Sequence, residues 1–292
     1  MEIRVLQYFL AVAREQSISG AAEFLHLTQP TLSRQLKDLE EELGTKLLIR
    51  GNRRVTLTEE GMLLRKRAEE IIDLVNKTER EVRPCNTAVA GDIYIGTGET
   101  DNMRILIRAA RRIQVDYPDI HFHVVSGDAC DIRENLDKGL YDFGVLLGDI
   151  DKSKYNYLEF PVEDTWGVLM RKDSPLAKKD ALTAEDLRDM PLIISRQSSN
   201  KGDLFHWLSA DPEQLHIAAT YNLIYNASLM VDEGMGYAFT LDKLTNTSGN
   251  SHLLFKPLSP TLHLNMTMVW KKYQVFTKAA EIFLTYIQEE LA

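Results

Sequence analysis

Apolar residues recur along the first part of the chain at helical spacing. Leu6, Phe9, Leu10 and Ala13 stand at i, i+3, i+4 and i+7 within residues 2–15, which predicts a helix with one buried face. Ser17 or Ser19 can cap a second short helix, "GAAEFLHL", with Ala21, Ala22 and Leu25 turned inward. The paired alanines leave room for another helix to approach closely. Thr28 suits the N-cap of a third helix, Pro30 suits its first turn, where the missing N–H costs nothing, and Gly44 ends it. Leu32, Leu36, Leu39 and Leu43 form its apolar seam. Two strand-like runs, about 46–50 and 54–57, flank the tight-turn pair Gly51–Asn52. Thr58 can then cap a long fourth helix over about 59–83, with Glu59 and Glu60 in its positive first turn. Along it Leu64, Ala68, Ile71, Val75, Thr78 and Val82 alternate spacings of four and three, a heptad seam. Such a seam needs a neighbour, either its own domain or, as we expect, a second copy of the chain.

Pro84 stops that helix, and "PCNTAVAG" predicts a linker. From residue 91 the rhythm changes to alternating strands and helices. "GDIYIGTG", "IHFHVVSG", "YDFGVLLG", "TWGVLMR", "PLIIS", "HIAATY", "GYAFT" and "TLHLNMTMVW" predict strands. "ETDNMRILIRAARRIQVDYP", "CDIRENLDKGL", "AEDLRDM", residues 202–209, "NASLMVDEG" and "KAAEIFLTYIQEELA" predict helices. This alternation argues for an α/β architecture with mostly parallel sheets. At 292 residues the chain is long enough for about two domains.

Charge sharpens the division. Residues 1–87 carry 14 Lys/Arg against 14 Asp/Glu, so the formal net charge of −9 lies wholly in 88–292. Within 46–67, Lys46, Arg50, Arg53, Arg54, Arg65, Lys66 and Arg67 outnumber Glu59 and Glu60, leaving a basic stripe on a neutral head. An acidic body argues against indiscriminate nucleic-acid binding by the whole molecule. Cys85 and Cys130 lack metal-ligand spacing and read as free thiols. No apolar run approaches the roughly 20 residues of a membrane span. Glu2, Arg4, Gln7 and Arg14 interrupt the N-terminus, which does not read as a signal peptide. A cytoplasmic location and no membrane association are the expectation.

Two short helices joined by a tight turn form a helix-turn-helix layout. With its leucines inward, the third helix shows Thr31, Arg34, Lys37 and Asp38 on the opposite face, and Gln29 and Ser33 near its N-terminal end. Gln reads adenine edges, Arg forks onto guanine, and Thr or Ser bonds bases or phosphates. Arg50, Arg53 and Arg54 would supply a basic wing for the flanking backbone. A plain three-helix bundle with a solvated polar face fits the same pattern.

Residues 6–61 resemble the winged helix-turn-helix of LysR-type transcriptional regulators. The paired alanines, "TQPTLSRQLKDLEEELG", the arginine at 50 and the closing "LTEEG" fall in the family's order and spacing. Leu48 departs from a usual Phe and Ile18 from a common aromatic, changes that bear on packing. The resemblance implies a winged helix-turn-helix domain over 1–58, with Gln29, Pro30, Thr31, Ser33, Arg34, Lys37, Arg50, Arg53 and Arg54 on double-stranded DNA. It implies a linker helix and hinge over 59–87 that pairs subunits, matching Leu64, Ala68, Ile71, Val75 and Val82. It further implies a periplasmic-binding-protein-like effector domain over 88–292, with subdomain I at 91–161 and 266–292 and subdomain II at 162–265. A small-molecule effector would lie between them, and a dimer or tetramer that also contacts RNA polymerase would act on a promoter.

In such folds ligands sit beyond the carboxyl ends of strands, near helix N-termini. The resemblance therefore points to Gly98, Glu99, Thr100, Asp101, Ser126, Gly127, Ser195, Arg196, Gln197, Ser198 and Asn222. Glu99 and Asp101 would repel an anion unless they serve as solvated helix caps, while Arg196 or Lys201 would attract one. His121 and His123 share a strand face but lack a third metal ligand, so strand packing is the simpler reading. "GTGET" lacks the lysine and spacing of a phosphate loop. No nucleophile motif is present, and the expectation is a regulator without enzymatic activity, cofactor or metal. The rival is a cytoplasmic small-molecule-binding protein whose head serves only oligomer assembly.

Overall fold

The computed structural model describes residues 1–51, 54–82, 89–198, 203–209 and 212–291. Its contacts divide the chain into two units, Met1–Pro84 and Cys85–Ala292. In the first, α1 (Ile3–Glu15) buries Val5, Leu6, Phe9 and Val12, while Leu10 and Ala13 are only half-buried. The helix α2 (Ile18–Phe24) starts earlier than its alanines suggest, because Ser17 is the cap: its hydroxyl accepts the Gly20 N–H at 3.1 Å. Leu25 falls just past its end and His26 makes the turn at φ 54°. Thr28 then caps α3 (Gln29–Leu43), and Gly44 closes it in the left-handed region at φ 67°.

Leu32, Leu36 and Leu39 are buried in α3, but Leu43 is 42% exposed. Leu43 is the last residue of the helix and projects past the core. The inward position one turn after Leu36 belongs instead to Glu40, only 4% exposed. Its Oε1 accepts the N–H groups of Leu47 at 2.8 Å and Leu48 at 3.1 Å, and its Oε2 accepts Lys46 Nζ at 3.2 Å. One carboxylate thus ties the helix to the start of the hairpin. Burial pushes this carboxyl up, but the two N–H groups and Lys46 outweigh it and hold it below its ordinary value.

The hairpin pairs β1 (Leu48–Arg50) with β2 (Val55–Leu57), Leu48 opposite Leu57 and Arg50 opposite Val55. The predicted turn residue Asn52 lies outside the described residues, as does most of the predicted linker. Thr58 starts α4 (Glu59–Val82), accepting the Gly61 N–H at 2.9 Å and donating to Lys46 O at 2.7 Å. A Cβ on Gly61 would meet Leu47 O at 2.2 Å, so the close approach of α4 to the hairpin requires glycine there. The first turns of α4 pack on α1: Leu64 lies against the head's core and Ala68 is fully buried. This part of the heptad seam serves its own domain, a correction to the expectation that Leu64 and Ala68 face a second copy.

The second unit runs through β3 (Gly91–Thr97), α5 (Arg104–Asp116), β4 (Ile120–Ser126), α6 (Ala129–Asp137), β5 (Phe143–Leu147) and β6 (Tyr155–Arg171). It continues with α7 (Ala184–Leu187), β7 (Leu192–Ser195), α8 (Asp203–Leu208), β8 (Ile217–Tyr221), α9 (Ile224–Asp232), β9 (Tyr237–Leu241), β10 (Leu253–Pro257), β11 (His263–Lys271) and α10 (Lys278–Leu291). The strand order is β4-β3-β5-β11-β6-β9-β7-β8, with β10 also paired to β6. Pairing is parallel within β4-β3-β5 and within β9-β7-β8, but β11 and β6 run antiparallel to their neighbours. The sheet is therefore mixed, not mostly parallel, since the chain crosses twice between two blocks.

The apolar pattern predicts only the second half of the 17-residue β6, and it misses β10. Glu159, Pro161, Glu163 and Asp164 interrupt β6's hydrophobic run where it crosses between the blocks. Two cores result. One joins Ile93, Ile95 and Phe143 to Met268 of β11 and Phe283 of α10; the other joins Val168, Met170, Ile194, Leu204 and Phe239. Opposite Phe160–Val162 the β6–β11 register shifts between Asn265 and Thr267.

Candidate nucleic-acid interface and ligand cleft

The leucine seam of α3 dictates what its other face can do. Gln29, Pro30, Thr31, Arg34 and Lys37 are exposed and Ser33 is half-buried. The Arg34 side chain is 83% exposed, and its nearest carboxylate oxygen, on Asp38, is 3.9 Å away. Lys37 pairs with Glu41 at 3.1 Å. Both are exposed pairs one turn apart, weak and screened by salt, so they direct the side chains without withholding them. Thr31 Oγ1 shares a 2.8 Å hydrogen bond with the capping Thr28.

The wing meets the helix. Arg50 Nη1 donates to Ser33 Oγ at 3.1 Å, bringing together two residues that are 17 positions apart. Arg54 is exposed at the hairpin tip, where its carbonyl accepts the Gly51 N–H at 3.0 Å. Arg53 lies outside the described residues. Along α4, Ile71 and Val75 are half-buried and Val82 is 74% exposed.

In the second unit a cleft of about 610 Å³ opens where the two strand blocks meet. Gly98, Glu99, Ser195, Arg196, Gln197 and Asn222 line it. Thr100, Asp101, Ser126 and Gly127 do not. Thr100 is buried, donating to Asp164 at 2.8 Å and accepting the Asn102 N–H at 3.0 Å. Burial pushes the Asp164 carboxyl above its usual value, against the Thr100 hydroxyl that favours its charged form. Asp101 pairs with Arg104 at 2.7 Å. Ser126 is exposed at the end of β4, and Gly127 N–H is taken by Thr97 O at 3.0 Å. The Ser198 side chain, Asn200 and Lys201 lie outside what is described.

Hydrogen bonds between described residues cross the cleft. Ile224 N, at the start of α9, donates to Glu99 Oε2 at 2.6 Å. Ala129 N, at the start of α6, donates to Gln197 Oε1 at 3.0 Å. Arg196 Nη2 donates to Asp128 Oδ2 at 2.7 Å. Glu99 is thus a half-buried helix cap, but of a helix on the opposite side.

Sequence reasoning missed several lining residues, among them Asp128, Cys130, Arg133, Trp166, Tyr221 and Leu264. Asp128 carried a signal, since it stands immediately before α6 in the N-cap position, yet its side chain makes no cap bond and turns to Arg196. Burial raises the Tyr221 phenol well above the usual tyrosine value; its hydroxyl donates to Phe239 O at 2.6 Å. His123 stacks on Tyr94 at 4.5 Å between centroids and bonds Asp92 at 2.9 Å, a strand-packing role. Among the described residues no His, Cys, Asp or Glu cluster could hold a metal ion. None of the described helices is long and apolar enough to cross a membrane.

Comparison with known proteins joins the two units. Residues 3–62 match the model of the bacterial regulatory helix-turn-helix protein, lysR family, and residues 86–292 match the LysR substrate binding domain. The chain is 32% identical to the HTH-type transcriptional regulator BsdA of Bacillus subtilis (strain 168), covering 75% of this chain and 79% of that one. It is 28% identical to the Hca operon transcriptional activator HcaR of Escherichia coli (strain K12), over 100% of this chain and 99% of that one. The fold superposes on the crystal structure of CbnR, a LysR family transcriptional regulator, with a TM-score of 0.78 at 18% identity, covering 100% of both chains. Full-length CbnR complexed with its target DNA gives the same TM-score over 99% of this chain and 100% of that one. With a DNA-reading head and an effector-binding body both matched along its length, the chain belongs to the LysR family of transcriptional regulators.

Proposed function

We propose that this regulator reads DNA through α3, with Gln29, Thr31, Ser33, Arg34 and Lys37 in the major groove and Arg50 and Arg54 on the flanking phosphates. One observation carries the assignment: α3 turns its leucines into the core and leaves Gln29, Thr31, Arg34 and Lys37 exposed, with the Arg50–Ser33 bond laying the wing against the helix. Half-buried Ile71 and Val75 and exposed Val82 would pair α4 with a second copy, placing two recognition helices on neighbouring half-sites. Pairing of dimers and contact with RNA polymerase would follow on the promoter, in the cytoplasm. A small molecule in the cleft of the second unit would shift the arrangement of its two halves, and with it the DNA. The chain then needs no chemical step of its own, and its relatives carry the names of regulators.

The test is binding of the full-length protein to the region upstream of its own gene and to a shuffled duplex, across salt concentrations. The own region binds more tightly, and its affinity falls linearly on a log–log salt plot. Equal and weak binding to both duplexes overturns the proposal. Ile71→Asp yields monomers in sedimentation, whereas unchanged assembly removes α4 as the pairing surface.

A further inference from the structure

Helices α6 and α9 both begin at the cleft, and each has an N-terminal N–H already taken by a side chain from across it. At α9 the occupant is a carboxylate, the group that a free helix N-terminus favours. Glu99 Oε2 lies 2.6 Å from Ile224 N, 125 positions away in the chain. The rest of the lining is short of positive charge. Among the described residues that line the cleft, Glu99, Asp128, Asp149 and Asp203 face only Arg133 and Arg196. Arg196 is engaged by Asp128.

An independent observation concerns what the cleft lacks. Asp128 is 8% exposed, and while Oδ2 receives Arg196, its Oδ1 is buried with no hydrogen-bond partner. A buried carboxylate oxygen without a donor is costly, and a donor-bearing ligand toward which the Asp128 carboxylate turns relieves that cost. Trp166, Tyr221 and Leu264 give the cavity an aromatic and apolar wall beside these acids.

We propose that Glu99 sets the specificity of the cleft: it fills the anion position at α9 with the chain's own carboxylate, so that the cleft excludes carboxylate effectors and takes an ammonium-bearing molecule with an apolar body. The ammonium meets Asp128, and the body lies along Trp166 and Tyr221. The proposal rests on this cleft being the effector site.

Two nearly isosteric probes of opposite charge, benzylamine and benzoate, test it on the full-length protein at fixed pH and ionic strength. Thermal unfolding reports binding. Alkylation of Cys130 by iodoacetamide, followed by peptide mass spectrometry, reports location, because Cys130 is exposed and lines the cleft. In the wild type benzylamine raises the melting temperature and slows Cys130 alkylation several-fold, while benzoate does neither. In Glu99→Ala benzoate gains both effects, and Glu99→Gln, which keeps the side-chain volume, moves the same way to a smaller extent. Asp128→Asn weakens the response to benzylamine. Benzoate that stabilises and protects the wild type as well as Glu99→Ala overturns the role of Glu99 and leaves the cleft as the effector site. Failure of both probes to protect Cys130 in every variant overturns the cleft along with it.

Discussion

Helix α3 in the head and helix α9 in the body both present an N-terminus at a candidate site, yet they are capped in opposite ways. Thr28 caps α3 from the adjacent position in the chain, whereas Glu99 caps α9 from 125 positions away, across a cleft. A local cap forms with the helix and stays with it. A cap supplied from the far side exists only while the two sides hold their present distance. The head therefore keeps the one surface proposed to meet DNA, while the body holds the contact that the proposed ligand would leave or replace. Permanence belongs to the reader and conditionality to the sensor.

The largest expected effect breaks the head itself. Glu40→Ala leaves two buried N–H groups without their acceptor and lowers the stability of the head by about 3 kcal/mol in denaturant unfolding. The sign of its pH dependence follows from the lowered carboxyl. A folded-state value below the ordinary 4.5 contributes stability that is present above that pH and lost as pH falls through the folded value. Glu40→Gln accordingly flattens the acid side of the stability profile below pH 4.5, and an unchanged profile there removes the charge from the account.

The next effect separates reading from holding. Arg34→Ala costs about 1–3 kcal/mol on the cognate duplex and less on other sequences, while Arg54→Ala weakens all duplexes alike and reduces the salt slope. A loss from Arg34→Ala that is equal on all sequences reassigns it to phosphate. Smaller still, Thr28→Ala lowers head stability by about 1 kcal/mol. Benzoate leaves that deficit untouched, whereas it restores Glu99→Ala; restoration of both erases the distinction between the two caps. Leu43→Ala changes stability by less than about 0.5 kcal/mol, because Leu43 stands outside the core that Leu39 fills.

What was legible in the residues follows the same divide. Thr28, Pro30, Gly44 and Thr58 announce helix ends because capping is decided within a few positions, and the structure has them where the spacing requires. Glu40 was half-legible: it stands four residues after Leu36 on the inward side, but the N–H groups it serves come from the following hairpin. The cross-cleft role of Glu99 carries no local signal, because its partner is set by tertiary distance alone. Gly98, Glu99, Ser195, Arg196, Gln197 and Asn222 came together in the cleft since all stand at or just past strand ends. Thr100, Asp101, Ser126 and Gly127 stand at or past strand ends too, yet Thr100 is turned to Asp164, Asp101 to Arg104 and the Gly127 N–H to Thr97, while Ser126 stays exposed outside the cleft. The mixed sheet escaped the alternation rule because β6 carries charges and a proline midway.

The two strands that cross between the halves of the body also fix how those halves can move. Paired side by side, β6 and β11 cannot slide by one residue without turning every inward side chain outward. Opening by translation is thereby closed off. What the pairing permits is flexure at the register shift near Phe160–Val162, the hinge of a book on a sewn spine rather than the slide of a drawer.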